Sequence, residues 1–199
     1  DGAGGAIDAY AVSAPDGGSA ILRVQRTDGS GAVLWGVDGK RVSAVGSASG
    51  FDQRPSAMVA DGAGGAYIAW TDRSNGDDRD VYLQHVDPSG DVVPGWPTNG
   101  IDLCPVSGSQ DNPRLLADGS GGCIASWDDA RAPATGSDIF AQRITPAGAI
   151  APGWRADGTL VCSAVGDQRG AVLASDGAGG ALISWQDWRA DGDVYAQRI

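Results

Sequence analysis

Asp and Trp are the residues of this 199-residue chain best placed to do chemistry or hold a ligand. All 25 acidic residues are Asp, 13 of the 14 basic residues are Arg, and Lys40 and His85 are the single Lys and His. Cleavage of a glycosidic bond needs two carboxyls, one of them kept protonated. The Asp residues recur in register, however, whereas a catalytic site is assembled once. Asp72, Asp129 and Asp187, and Asp80, Asp138 and Asp193, therefore read as structural carboxylates that accept backbone N–H bonds in turns or pair with nearby Arg. A Ser/His/Asp relay would have to use His85, which stands in a slot filled elsewhere by Arg26, Arg143 and Arg198. No catalytic residue is assigned. The repeated carboxylates could instead hold Ca²⁺, and their densest cluster is Asp77, Asp78 and Asp80, but it lacks the Asp-x-Asp-x-Asp-Gly order. The expectation is no cofactor, with calcium at those three Asp as the alternative.

The remaining chemistry is sparse. Cys104, Cys123 and Cys162 have no Cys/His spacing for zinc or haem. Cys104 and Cys162 stand at equivalent positions a whole repeat apart, too far for a disulfide; Cys104–Cys123 is conceivable, and an odd count leaves at least one thiol free or paired with another chain. The Gly-rich strings lead into strands rather than helices, so none is a phosphate loop. Trp70, Trp127 and Trp185 recur in register and read as core. Trp35, Trp96 and Trp154 lie in turns, where they cap sheet edges or offer stacking faces. Trp188 has no counterpart in the other copies, and Ala130 takes its place. The binding candidates are accordingly Trp188 with its neighbours Asp187 and Arg189, and Trp96 and Trp154.

These residues are positioned by an internal repeat. Asp-Gly-Ala-Gly-Gly-Ala begins at Asp1, Asp61 and Asp176, and Asp-Gly-Ser-Gly-Gly-Cys at Asp118, giving spacings of 60, 57 and 58 residues. An aromatic follows nine residues on, as Tyr10, Trp70, Trp127 and Trp185. Arg73, Arg131 and Arg189 come next, then Asp-aliphatic-aromatic-x-Gln, then Trp-x-x-x-Gly and a short apolar run to Ser43, Cys104 or Cys162. The first copy is degenerate, with Tyr10, Val12, Ile21 and Arg23 at otherwise patterned positions.

Each repeat predicts four short strands, in the third copy Arg114 to Ala117, Cys123 to Trp127, Asp138 to Ile144 and Thr159 to Ser163. The Gly-rich string forms the first hairpin, where positive φ is required. Neither face of the second strand is polar: Ala66, Ile68 and Trp70 oppose Tyr67, Ala69 and Thr71. Such a strand suits a small sheet stacked between two similar sheets, which makes each repeat of about 58 residues one blade of a β-propeller. The units run 1–53 (a degenerate partial blade), 54–111, 112–168 and 169–199 (a partial blade). A parallel β-helix and a β-sandwich explain the period less well. The chain opens inside one repeat and stops inside another, so it is expected to be a partial propeller, with further blades from a longer chain or a partner copy.

At the level of the repeat the sequence resembles a family of uncharacterised secreted bacterial proteins. Their tandem repeats read Asp-Gly-x-Gly-Gly-Ala-x-x-x-Trp-x-Asp-x-Arg, then Asp-Ile-Tyr-Ala-Gln-Arg, then Trp-x-x-x-Gly and Cys-x-Ala. The match spans almost the whole chain and is closest at Trp185 to Arg189 and Asp193 to Arg198. The resemblance implies export, to the cell surface or beyond, and a propeller-like fold; it implies no activity. The Asp-Gly turn and its Trp also resemble the Asp-box hairpins of sialidase-type propellers, at a different spacing and as analogy only.

Composition narrows the function classes. A formal net charge of −11 opposes nucleic acid as a partner, and no apolar run is long enough to insert in a membrane. The expected function is a secreted, non-catalytic binding or assembly module whose blade loops contact a glycan or a protein surface. The alternatives are a polysaccharide-cleaving propeller enzyme whose catalytic residues lie outside this segment, and a structural subunit that self-associates through open blades.

Overall fold

The computed structural model describes residues 4–13, 20–43, 54–73 and 78–199. The Asp-Gly-x-Gly-Gly string sets the first hairpin of each unit. Asp118 Oδ1 accepts the N–H groups of Ser120 and Gly122 at 2.7 and 2.9 Å, and Asp61 and Asp176 repeat both bonds in their own turns. The last Gly of the string, Gly122, lies against the Ile144 carbonyl, where a Cβ has no room. The second carboxylate oxygen of each turn Asp reaches the third strand. It takes His85 Nε2 at 3.0 Å, Arg143 Nε at 2.9 Å and Arg198 Nε at 2.7 Å. One Asp therefore closes the turn and ties it to the strand two positions across the sheet, which is why that strand carries a nitrogen-bearing side chain, His or Arg, in this slot.

Fourteen strands result among the described residues, all antiparallel and grouped in four sheets, with no helix. The first sheet is β1 (Ala6–Ser13), β2 (Ala20–Thr27) and β3 (Lys40–Arg41). The second is β4 (Arg54–Ala60), β5 (Ala66–Asp72), β6 (Asp80–Val86) and β7 (Ile101–Asp102). The third is β8 (Gln110–Ala117), β9 (Cys123–Asp129), β10 (Asp138–Ile144) and β11 (Thr159–Cys162). The fourth is β12 (Gln168–Ser175), β13 (Ala181–Asp187) and β14 (Asp193–Arg198). Spatial order follows chain order in every sheet. The period thus marks sheets, as the sequence predicts, although β8 and β12 begin slightly before the expected unit boundaries at 112 and 169.

Three apolar layers lie between successive sheets. Tyr67, Ala69 and Leu83 of the second sheet meet Cys123, Ala125 and Trp127 of the third. Leu22 and Val24 meet Ala66, Ile68 and Trp70 in the layer before, and Ile124 and Ile139 meet Ala181, Ile183 and Trp185 in the layer after. Burying a Trp removes about 150–250 Å² from water, worth roughly 4–6 kcal/mol of gross transfer energy. The second-strand Trp is therefore the largest single contribution to each layer. The layers are pinned by polar staples. Trp35 Nε1 donates to the Pro88 carbonyl at 3.1 Å, Trp96 Nε1 to Pro146 at 3.0 Å and the Tyr67 hydroxyl to Gly121 at 2.7 Å, each reaching the next repeat. All three cysteines are free thiols, so the Cys104–Cys123 pairing is not made: Cys104 and Cys123 lie buried in the sheet core and Cys162 is half-buried, with Cys104 Sγ facing Asp157 and Arg131.

Candidate functional site

In the Trp-x-Asp-x-Arg motif of the third and fourth sheets the carboxylate is held within the fold and is not free for a ligand. Asp129 is the last residue of β9 and fully buried. Its Oδ2 accepts Trp127 Nε1 at 2.8 Å, and its Oδ1 accepts both the backbone N–H and Nε of Arg131 at 2.9 and 2.8 Å. The Arg131 guanidinium then lies over the Phe140 ring at 3.8 Å. The fourth sheet repeats the arrangement with Trp185, Asp187 and Arg189, whose guanidinium lies over Tyr195 at 4.2 Å. That guanidinium beside Asp187 holds its carboxyl well below the usual carboxylate range. In the second sheet the Arg comes one residue earlier, at Arg73, and the Trp70 indole N–H has no partner among the described residues.

The binding candidates chosen from the sequence fall in separate places. Asp187 is only 1% exposed and committed to Trp185 and Arg189. Trp188 is 53% exposed, its ring resting on Gly192 and its N–H donating to the Asp167 carbonyl. Trp96 is 6% exposed, packed on Gly148 beside His85 and Tyr67. Trp154 is half-buried at the edge of the last core layer. Of the calcium candidates, Asp77 lies outside the described residues, Asp78 Oδ2 accepts the Gly108 N–H at 3.1 Å, and Asp80 opens β6. Among the described residues no group of three His, Cys or Asp is arranged to hold a metal ion.

A cleft that the sequence reading did not single out gathers polar groups from three repeats. It has a volume of about 320 Å³ and lies where the start of β8, the end of β9 and the start of β12 meet. Asp111, Asn112, Asp128, Asp167, Arg79 and Arg169 line it. The chain entering β8 is fixed by the Gln110 N–H on the Arg79 carbonyl, and that entering β12 by the Gln168 N–H on Ser137. A bulge between Asp111 and Arg114 interrupts the β8–β9 ladder, and Asn112 takes a left-handed φ of 53° there. Non-Gly residues adopt that conformation at local cost, and such positions cluster at functional sites.

The bulge frees the two side chains for polar work. Asp111 accepts the Thr71 hydroxyl at 3.0 Å and pairs with Arg79. Asn112 Nδ2 donates to Asp128 Oδ2 at 2.8 Å, and the Gly170 N–H donates to Asp128 Oδ1 at 3.1 Å. Asp128 is 5% exposed, and burial pushes its carboxyl up against the lowering effect of Asn112. Asp167 accepts the Ser137 N–H at 3.0 Å and pairs with Arg169 at 3.0 Å. The cleft therefore offers three carboxylates and two partly exposed guanidiniums, held in place by backbone bonds. That set donates and accepts hydrogen bonds at once, as recognition of a polyhydroxylated ligand requires. Trp188 stands next to it through the bond to Asp167.

One signal in the sequence did mark this place. Asp128 occupies the position of Thr71 and Gln186, and Asp111 the position of Arg54 and Arg169, so both break the repeat.

No family model matches the chain, and no curated protein matches it. Among solved structures it is similar to an endo-arabinase from Bacteroides thetaiotaomicron VPI-5482, with a TM-score of 0.52 and 15% identity over 96% of this chain and 73% of that one. At that identity the likeness is one of fold: an all-β architecture shared with an enzyme.

Proposed function

We propose that the chain is a secreted β-propeller-type module, each sheet a blade, that binds a glycan without cleaving it in the cleft between β8, β9 and β12. The observation that carries this reading is the pair of residues that break the repeat, Asp111 and Asp128, set in a cleft with Arg79 and Arg169. Structural carboxylates recur in every unit; these do not. Rigid polar groups around a small concavity, with an exposed aromatic alongside, suit a sugar better than a flat protein surface. The fold likeness to an endo-arabinase supports a glycan as the ligand class.

A second reading has a specific observation behind it. Asp128, raised by burial, faces Asp111 across the β8–β9 pair, while Asp111 is paired with Arg79. Two carboxyls in unlike surroundings are what glycoside hydrolysis uses. One experiment separates the two. The chain is titrated with a panel of soluble polysaccharides by calorimetry, and the same mixtures are assayed for new reducing ends. The binding reading expects saturable binding, weakened about tenfold by Asp111→Ala and by Arg169→Ala, with no reducing ends. Reducing ends that vanish in Asp128→Asn establish the enzyme instead, and no binding across the panel refutes both.

A further inference from the structure

Each carboxylate lining the cleft between β8, β9 and β12 divides its two oxygens in the same way. Oδ1 ties it to a neighbouring repeat. Asp111 Oδ1 accepts the Thr71 hydroxyl of the second repeat at 3.0 Å, Asp128 Oδ1 the Gly170 N–H of the fourth at 3.1 Å, and Asp167 Oδ1 the Ser137 N–H of the third at 3.0 Å. Oδ2 holds a polar side chain that also lines the cleft. Asp111 Oδ2 takes Arg79 Nη1 at 2.5 Å, Asp128 Oδ2 takes Asn112 Nδ2 at 2.8 Å, and Asp167 Oδ2 takes Arg169 Nη2 at 3.0 Å. The stacked sheets fix the carboxylates, and the carboxylates fix the donors. Three donor–acceptor pairs result: Arg79–Asp111, Asn112–Asp128 and Arg169–Asp167.

These pairs have bonding capacity to spare. A guanidinium carries five N–H groups, a carboxamide nitrogen two, and a carboxylate accepts at about four lone-pair sites. The side chains of Arg79 and Arg169 are 40% and 57% exposed, and Asn112 is exposed. Two of the donors also break the repeat. Arg79 stands where the later copies have Ser137 and Gly192. Asn112 stands where the other copies have Pro55 and Gly170, and Gly170 shares its left-handed conformation at a φ of 68°. A side chain is therefore kept at a position that a Gly fills more easily.

We infer that the cleft selects neutral saccharide chains by their pairs of adjacent hydroxyls, an inference that rests on the glycan-binding reading above. A donor held beside an acceptor matches two hydroxyls on neighbouring carbons: one donates to the carboxylate while the other accepts from the guanidinium or carboxamide. An isolated hydroxyl meets only half of such a pair. Charge sets the second rule. Three carboxylates face two guanidiniums, and each guanidinium already has its carboxylate. An acidic sugar would have to displace Asp111 or Asp167 from its Arg and leave that carboxylate unpaired near Asp128. Selectivity of this kind comes from the group that the wrong ligand leaves unpaired.

Calorimetry with defined polymers tests both rules, at about 0.5 M salt so that the chain's overall charge is screened. Glucomannan, galactan and linear arabinan are neutral and have adjacent free hydroxyls on their backbone sugars. Laminarin is neutral, but its backbone sugars have no adjacent free hydroxyls. Alginate has them together with a carboxylate on every sugar. The expected result is saturable binding of at least one of the first three, with laminarin and alginate at least about tenfold weaker. Asn112→Gly takes up the conformation that Gly170 already has, and Arg79→Lys keeps the charge but loses the planar fork. Each should weaken that binding about fivefold, and thermal unfolding verifies that both variants fold. Laminarin or alginate bound as tightly as the best of the first three overturns the inference, as does full affinity in both variants. Either result leaves glycan binding itself standing, whereas no binding of any of these polymers overturns both.

Discussion

Asp129→Ala is the sharpest probe of what holds a repeat together. Asp129 is fully buried and accepts hydrogen bonds from Trp127 Nε1, from the Arg131 backbone and from the Arg131 guanidinium. Truncation leaves the Arg131 side chain, only 17% exposed, with the Asp157 carbonyl and Cys104 Sγ as its remaining partners. It also orphans the indole N–H and a backbone N–H. Breaking a buried ion pair from one side costs about 3–5 kcal/mol, and an orphaned buried donor about 1–3 kcal/mol. The two overlap, and the retained partners of Arg131 place the expected loss near 3–4 kcal/mol. That is a large share of the roughly 5–15 kcal/mol that holds a typical domain folded. Urea unfolding followed by Trp fluorescence reads the change as a lower midpoint at unchanged slope. Asp129→Asn, which keeps one acceptor, should recover about half of it. A loss under about 1 kcal/mol for Asp129→Ala would refute the argument, since the network would then be no better than a surface pair.

Two further outcomes follow from the geometry. Gly158→Ala and Gly153→Ala place the same side chain at φ values of 84° and 88°, but the first meets Trp127 at 2.8 Å and the second meets nothing. Gly158→Ala should therefore cost about 1–3 kcal/mol more than Gly153→Ala, and equal thermal shifts would show that the ring gives way. The stability of Asp128→Asn relative to the parent should depend on pH, since the variant gives up one acceptor at every pH but sheds the cost of ionisation only at neutral pH. Burial raises the folded-state carboxyl of Asp128, so its ionisation opposes folding at neutral pH, and the penalty fades as the pH falls from the raised folded value towards the unfolded value of about 4. Urea midpoints should show the variant losing ground to the parent between pH 7 and pH 4; a difference that stays constant, or moves in the variant's favour, contradicts the assignment.

Much of the fold was legible because it repeats. The hairpin string, the second-strand Trp and the Asp-x-x-x-Gln strand each impose a local requirement that recurs once per sheet, and the third sheet's strands fall within a few residues of their expected bounds. The exception is β8, where Gln110 to Pro113 look like a turn in sequence because of the polar bulge. The Asp of Trp-x-Asp-x-Arg was legible as an Arg partner, but its bond to the Trp127 indole was not, since the two are next-but-one neighbours on one strand. The cleft was hidden for the opposite reason. Asp111, Asp128 and Asp167 sit 17 and 39 residues apart and come together only when two sheets stack, and a search for periodicity passes over positions that occur once. Trp96 was readable as a stacking face only because its partner, the Pro146 carbonyl, lies a full repeat away.

The staples from Trp35 to Pro88 and from Trp96 to Pro146 all run the same way along the chain. The second unit therefore carries both a receptor, the Pro88 carbonyl, and a plug, the Trp96 indole, as a coupling between its neighbours. Gene duplication or deletion of a whole unit leaves every surviving junction correctly mated, whereas an insertion of half a unit strands one indole and one carbonyl. Lineages of such a chain can lengthen or shorten in whole steps at almost no cost to the interfaces that remain.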